Sequence, residues 1–390
     1  MTDRRQFIKA AAIATAASYG RILGANDRVQ VGGIGTGGRC QYILSLVNKG
    51  GGAQVVAVCD VNELHRQEAR EKLAPEAREY GDYRKLLEHP GLDAVVIGSP
   101  NHWHVPMTID AVRAGKDVYV EKPVTHRVEE GAPLIEAVAE SKRVVQVGMQ
   151  QRSWPHFRQA HDIIAGGGLG QVTLIRTYWY QNYLLGRDKV RPIDSSKIDW
   201  KMFLGAAPDQ PFDAERYRNW RWFYDFGGGS LTDLFLHWVD VVQWSMANDT
   251  PTDAVAIGGK YLFPEWDWQD TVNTSFHYPG NFLVSFDCSL MGYLEGGGLI
   301  LHGTKALMRL HRGGFAIYPE QTHYTELPDL KDVAQEVKSE HDGAIEHVQN
   351  FLDCIRSRNT PNAPVSAGVT SARAGHLGNQ ALRSGGLVRS

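Results

Sequence analysis

The chain has 390 residues and a formal net charge of -3, with 43% apolar and 22% charged residues. That length exceeds what one core ordinarily supports and predicts two globular domains. Charges of both signs are interspersed, which excludes a nucleic-acid-binding surface built on clustered Lys and Arg, and fits a small neutral or polar ligand instead.

Residues 3–9 read Asp-Arg-Arg-Gln-Phe-Ile-Lys and lead into an alanine-rich run over 10–17. The adjacent Arg4 and Arg5, the apolar Phe7 and Ile8, and Lys9 resemble a twin-arginine export signal. The segment 1–27 is therefore expected to direct export, with cleavage permitted after Ala25, and the mature protein to be periplasmic. The apolar run is far shorter than the roughly 20 residues a bilayer span requires, so no stable membrane anchor is expected. A protein exported folded carries its cofactor with it. Keeping a dinucleotide at high dilution takes a nanomolar dissociation constant, about 12 kcal/mol of binding free energy. Such a cofactor must also be regenerated in place.

The run 28–34 reads as a strand that enters Gly33-Ile34-Gly35-Thr36-Gly37-Gly38, a G-x-G-x-x-G loop, followed by a helix through Val47. The glycines let backbone approach a pyrophosphate, and the helix start supplies free N–H groups and a favourable dipole. A second strand over 53–59 ends at Asp60, placed to accept from a ribose hydroxyl and to repel a 2'-phosphate. NAD is the expected cofactor, with NADP left open by Arg39; Asp60 has an alternative role as a cap for the helix that starts near Asn62.

Strand-like runs over 94–98, 117–120 and 144–147 alternate with helix-like runs over 104–114 and 128–141. The expected fold of 28–150 is an α/β doubly wound parallel sheet, a Rossmann dinucleotide-binding domain. Ligands in such sheets lie beyond the strand C-termini. Ser99-Pro100-Asn101-His102-Trp103-His104, Glu121-Lys122-Pro123 and Met149-Gln150-Gln151-Arg152 are thus expected at one cleft. Ser99, Asn101, His104, Glu121 and Lys122 join Gly33, Gly35, Thr36, Gly38, Arg39 and Asp60 as expected cofactor contacts. No metal site is expected, because His102 and His104 lack a third ligand.

From 151 to 390 the pattern becomes alternating and aromatic-rich, with strands expected over 254–261, 271–278 and 282–290 and helices over 343–356 and 369–383. This predicts an α+β domain with an open, mainly antiparallel sheet, for substrate binding and dimerisation. Ten Trp and fifteen Tyr supply flat rings of the kind on which sugar faces stack. Arg152, Tyr180, Trp222 and Tyr224 are candidate substrate contacts. Cys40, Cys59, Cys288 and Cys354 form no C-x-x-C pair and read as buried thiols.

Ala-Gly-Lys-Asp-Val-Tyr-Val before Glu121-Lys122-Pro123, the glycine loop, the Ser-Pro-Asn-His-Trp-His turn and Gly-Gly-Gly-Ser-Leu-Thr-Asp233-Leu-Phe-Leu-His237 together resemble the Gfo/Idh/MocA family of glucose-fructose oxidoreductase and inositol dehydrogenase. The resemblance covers nearly everything after the export segment. It implies Lys122, Asp233 and His237 as the catalytic group of an NAD(P)-dependent oxidoreductase acting on a sugar or polyol, assembled as a homo-oligomer. Asp233 and His237, four apart in a helix-like run, are expected on one helical face. Either Lys122 or His237 moves the hydroxyl proton, and Asp233 orients or binds substrate. Two alternatives remain, an NAD-dependent glycoside hydrolase or lyase with transient sugar oxidation and a catalytically silent sugar-binding protein. Relatives of the exported type run on beyond the equivalent of Leu377-Gly378-Asn379, so part of the usual tail is expected to be missing.

Overall fold

The computed structural model describes residues 28–185, 192–320 and 333–390; the expected export segment lies outside them. The valine-rich runs form a six-stranded sheet of β1 (Val29–Ile34), β2 (Ala53–Cys59), β3 (Arg78–Tyr80), β4 (Ala94–Ile97), β5 (Asp117–Val120) and β6 (Val145–Val147). Their order is 3-2-1-4-5-6, and every neighbouring pair is parallel. β4 and β5 are buried at every residue, as strands covered on both faces must be. Helices α1 (Gly38–Lys49) and α2 (Glu63–Leu73) cover one face, and α3 (Tyr83–Leu87), α4 (His104–Arg113) and α5 (Gly131–Ser141) the other. The run expected as one helix over 128–141 starts instead with a 3-10 turn at Val128–Glu130.

The chain then builds α6 (Pro155–Ala165), β7 (Val172–Tyr180) and the short helices α7 (Trp200–Leu204), α8 (Ala214–Arg218) and α9 (Gly229–Asp233), followed by α10 (Leu236–Met246). Strands β8 (Asp253–Gly259), β9 (Thr271–Tyr278), β10 (Phe282–Ser289), β11 (Gly297–Gly303), β12 (Ala306–His311), β13 (Gly314–Pro319), β14 (Gln335–Lys338) and β15 (Val388–Arg389) complete a second sheet with β7. Its order is 14-13-12-11-7-10-9-8-15, antiparallel except between β7 and β10. Sequence patterning finds β8 to β10 but not β11 to β14; β11 is bounded by Gly297 and Gly303 and β13 begins at Gly314, which weakens the strand signal, and β14 is only four residues long. The inner face of the sheet packs on α10, where Phe235 stacks on Phe276 at 4.9 Å.

The last two helices are α11 (Ala344–Ser357) and α12 (Val365–Ser384). α11 returns to the first sheet, with Val348, Phe351, Leu352 and Ile355 in the same apolar cluster as Val31, Val55 and Val96. α12 starts one turn before the expected Val369 because Pro364 stands at its N-cap with φ -66°, already set for helix entry.

His347 on α11 and His376 on α12 are buried, and burial pushes both imidazoles down to about 4. His347 bridges the Val147 carbonyl, at 2.9 Å, and the Ser153 hydroxyl, at 2.7 Å. Unfolded histidines titrate near 6.5, so between pH 6.5 and 4 the unfolded chain binds more protons and stability is lost as the pH is lowered. Thermal unfolding is expected to show a Tm that drops through this window. Each of these two histidines contributes on the order of 1 kcal/mol or more to the loss, and a Tm independent of pH there contradicts this reading.

Candidate active site

The loop after β1 turns at Gly35, whose φ is +72° and where a Cβ would lie 2.6 Å from the Ser99 backbone nitrogen. Only glycine lets the β1 and β4 ends approach this closely. Gly33 packs inward against Leu44, whereas Gly37 and Gly38 face open space at the start of α1. The adjoining cleft has a volume of about 520 Å³ and is lined by Gly35, Gly37, Asp60, Ser99, Trp103 and Tyr217 among others. Thr36 Oγ1, Ser99 Oγ and Asn101 Oδ1 are buried with no hydrogen-bond partner among the described residues. Unpaired buried polar atoms beside an open glycine turn fit a ligand that supplies the missing partners.

Asp60 does not cap α2: Asn62 does, accepting from the Leu64 N–H, while Asp60 Oδ1 accepts from the Asn62 N–H at 2.8 Å. Asp60 Oδ2 lies 3.5 Å from His65 Nδ1, and this contact raises the His65 imidazole above its usual value. Arg39 stands apart from Asp60, donating through Nε to Glu121 Oε1 at 2.8 Å. His104 is fully enclosed, its ring nitrogens 2.6 Å from the Pro123 carbonyl and 2.8 Å from the Ser99 carbonyl. It ties the turn after β4 to the residue after Lys122, with both nitrogens committed to backbone.

Lys122 follows β5. Its Nζ donates to Asp233 Oδ1 at 2.7 Å and to the Asp233 carbonyl at 2.6 Å. Arg221 Nε reaches Asp233 Oδ2 at 3.4 Å and its guanidinium lies over the Trp220 ring. Burial is the largest influence on Lys122 and lowers its ammonium below the usual lysine value, with Asp233 opposing. Burial alone would raise the Asp233 carboxyl, but the Lys122 and Arg221 cations outweigh it and hold the group below the usual carboxylate range.

Asp233 and His237 do not share one helix, as the spacing suggested. The Phe235 N–H bonds the Ser230 carbonyl five residues back, so α9 ends at Asp233 and α10 begins at Leu236. Asp233 turns to Lys122, whereas His237 stacks on Trp179 with centroids 5.6 Å apart. His237 Nδ1 is buried with no hydrogen-bond partner among the described residues. Burial, then the Lys122, Arg312 and Arg39 cations, drives its imidazole well below the ordinary 6.5, so the ring is neutral at pH 7.

Of the four candidate substrate contacts, three are held by other side chains, and Tyr180 lines a separate cavity at the end of β7. Arg152 is bidentate on Asp240 at 2.8–2.9 Å. Trp222 is 2% exposed and stacks on Trp266 at 4.7 Å. Tyr224 packs edge-on to Trp268 beneath Arg383, and Tyr180 faces the open side of the sheet beside Tyr178. Sequence reasoning passed over Trp179 and Arg312, since nothing local marks them, and grouped Arg221 with Trp222, Phe223 and Tyr224 as a candidate substrate contact, whereas the structure sets it against Asp233. Among the described residues no three His, Cys, Asp or Glu side chains are grouped to hold a metal ion, and no helix is long and apolar enough to cross a membrane.

Residues 29–149 match the model of the GFO_IDH_MocA oxidoreductase family, NAD-binding Rossmann fold, and residues 193–309 match the GFO/IDH/MocA C-terminal domain. Inositol 2-dehydrogenase of Salmonella typhimurium is 34% identical over 153 residues, 39% of this chain and 44% of that protein. The chain thus aligns with less than half the length of this relative. Levoglucosan dehydrogenase, solved with NADH and levoglucosan, shares the fold with a TM-score of 0.72 at 18% identity, covering 93% of this chain and 99% of that one. Scyllo-inositol dehydrogenase from Lactobacillus casei, with NAD(H) and scyllo-inositol, gives 0.70 at 18% identity over the same shares.

Arg39 is held by Glu121, and among the described residues no arginine side chain forms an ion pair with Asp60. Asp60→Ala is expected to weaken NAD binding roughly tenfold and to narrow its preference over NADP. Titration of both dinucleotides checks this, and an unchanged NAD/NADP ratio contradicts it.

Proposed function

Since this chain belongs to the Gfo/Idh/MocA oxidoreductase family, we propose that it oxidises a hydroxyl of a sugar or polyol, with a dinucleotide retained between turnovers. The observation that carries this reading is the buried Lys122 ammonium fixed on Asp233 beside a neutral His237. When bound, the nicotinamide supplies the acceptor for the hydride leaving the carbinol carbon. Lys122 donates a hydrogen bond to the substrate oxygen and stabilises charge developing there. His237 Nδ1, unpaired, takes the hydroxyl proton. Asp233 and Arg221 hold Lys122 in place.

Retention is supported by the segment 192–220, which crosses the adenosine end of the cleft. The Asp199 N–H bonds the Val61 carbonyl at 2.9 Å, Tyr217 Oη accepts from Asn62 Nδ2 at 2.9 Å, and the Trp103 indole bonds the Phe203 carbonyl at 2.9 Å. A retained cofactor suits an exported enzyme, and Arg4, Arg5 and the alanine run support export to the periplasm. A homo-oligomer is supported by the open sheet face, where Val255, Ile257 and Leu283 are exposed.

Lys122→Ala is expected to lower kcat about a thousandfold or more while leaving dinucleotide in the purified protein; undiminished turnover removes the site assignment. Because His237 must be neutral and Lys122 protonated, activity falls as pH drops through the depressed His237 value and as it rises through the lowered Lys122 value. The kcat/KM profile is expected to be a bell with its acid limb below 6.5 and its alkaline limb below 10.5. Tyr217→Ala is expected to release dinucleotide during gel filtration that the parent protein keeps, read by mass and absorbance of the eluted chain. Aglycone release from aryl glycosides with no net NADH would replace net oxidation by the redox-neutral chemistry of a glycosidase.

A further inference from the structure

A second cavity, of about 400 Å³, opens at the end of β7 and is bounded by Trp179, Trp238, Tyr293, Glu295, Arg309 and Arg312. It shares a wall with the site above, because the Trp179 indole that stacks on His237 also carries the Arg312 guanidinium, 5.3 Å from its centroid. Arg312 sits in the tight turn between β12 and β13. Its Nε is buried with no hydrogen-bond partner, and it makes no salt bridge among the described residues. A buried cation without an anion is costly, so such a group persists where a ligand completes it.

The neighbouring acids do not complete it. Asp342 acts on Arg312 through space but spends its oxygens on the Tyr42 hydroxyl, at 2.7 Å, and the Ala344 N–H, at 3.0 Å. Arg309, on the same wall, also has a buried Nε without a hydrogen-bond partner, with Tyr178 and then Glu295 acting on it. The Arg312 guanidinium, without an ion-pair partner among the described residues, presents a planar fork matched to a carboxylate beside the Trp179 indole.

Resting on the sugar-oxidoreductase reading, we infer that the substrate is an acidic sugar whose carboxylate is bound by Arg312 while its ring lies against Trp179. A carboxylate fits better than a phosphate dianion because Glu295 stands on the same cavity wall. Binding also prepares the base. The charged groups acting on His237 are Lys122, Arg312 and Arg39, all cations, and a substrate carboxylate on Arg312 cancels one of them and raises the basicity of His237.

The test uses the full chain with its dinucleotide and three hexose series (gluco, galacto and manno), each as the neutral sugar, the uronate and the 6-phosphate. Binding is read by quenching of bound NADH fluorescence and turnover by its absorbance. At least one uronate is expected to exceed its neutral parent in kcat/KM by roughly tenfold or more. The acid limb of its kcat profile, which reports the complex with substrate, is expected at higher pH than that of the neutral sugar. In Arg312→Met the uronate advantage and the limb difference both collapse, while Arg312→Lys keeps part of each. Thermal melting and dinucleotide content identify any variant that fails to fold, in which case the limb difference within the parent protein decides. Equal use of neutral sugars and uronates, a preference for 6-phosphates, or a uronate preference that survives Arg312→Met each overturns the inference while leaving the oxidoreductase reading intact. Failure of every sugar to bind or react overturns both.

Discussion

The contact between Lys122 and Asp233 is the constraint on which the site depends. Lys122 hangs from the C-terminal end of β5 in the first sheet, and Asp233 ends α9 in the second half of the chain. The pair therefore fixes the distance between the two halves at the point where a substrate must be held. Both groups are buried, so removing Asp233 leaves an uncompensated ammonium in a poorly solvated place, a loss of about 3–5 kcal/mol, whereas without Lys122 the carboxylate still faces Arg221. Arg221 adds a third member and makes the cluster net positive, which suits it to stabilise a developing alkoxide. The break between α9 and α10 lets the same short stretch send Asp233 towards Lys122 and His237 towards Trp179.

Burial first, and then the neighbouring cations, set the state of the histidine. With Lys122, Arg312 and Arg39 around it, a proton on His237 is disfavoured, so the ring stays neutral and able to accept. The same field makes it a weak base until an anion enters. Proton acceptance and substrate charge are thus coupled through ordinary Coulomb terms, which act strongly in a site shielded from water.

The parts of this arrangement that sequence makes readable are local. The glycine loop, the acid at the end of β2 and the lysine after β5 are visible because each depends on neighbours a few residues away. The parallel sheet is visible because its strands are continuous apolar runs. Arg152, by contrast, looks like any arginine near a cleft, and only the fold brings it to Asp240, 88 residues away. Trp222 is indistinguishable in sequence from a sugar platform until Trp266 covers it. Trp179 and Arg312 acquire meaning only through the indole that joins them to His237, a relation created by packing between β7, the β12–β13 turn and α10. The expectation of a single helix through Asp233 and His237 fails because a backbone slip at Phe235 leaves no trace in residue spacing.

The C-terminal helices decide how the cleft can open. α11 lies in the core of the first sheet, and α12 belongs to both cores: Val365 and Val369 pack with the first, Ala374, Leu377 and Ala381 with the second. The two halves share buried apolar surface along one continuous helix, so hinge-like separation would expose core on both sides. Asn379 also bonds the Gly228 carbonyl ahead of α9, and His376 meets Thr125 three residues after Lys122. The 192–220 segment meets the first domain through hydrogen bonds, the Trp103–Phe203 bond at its middle among them, and through the partly exposed Lys197–Glu63 pair, which is worth little, while its Phe203 and Leu204 are anchored in the second core.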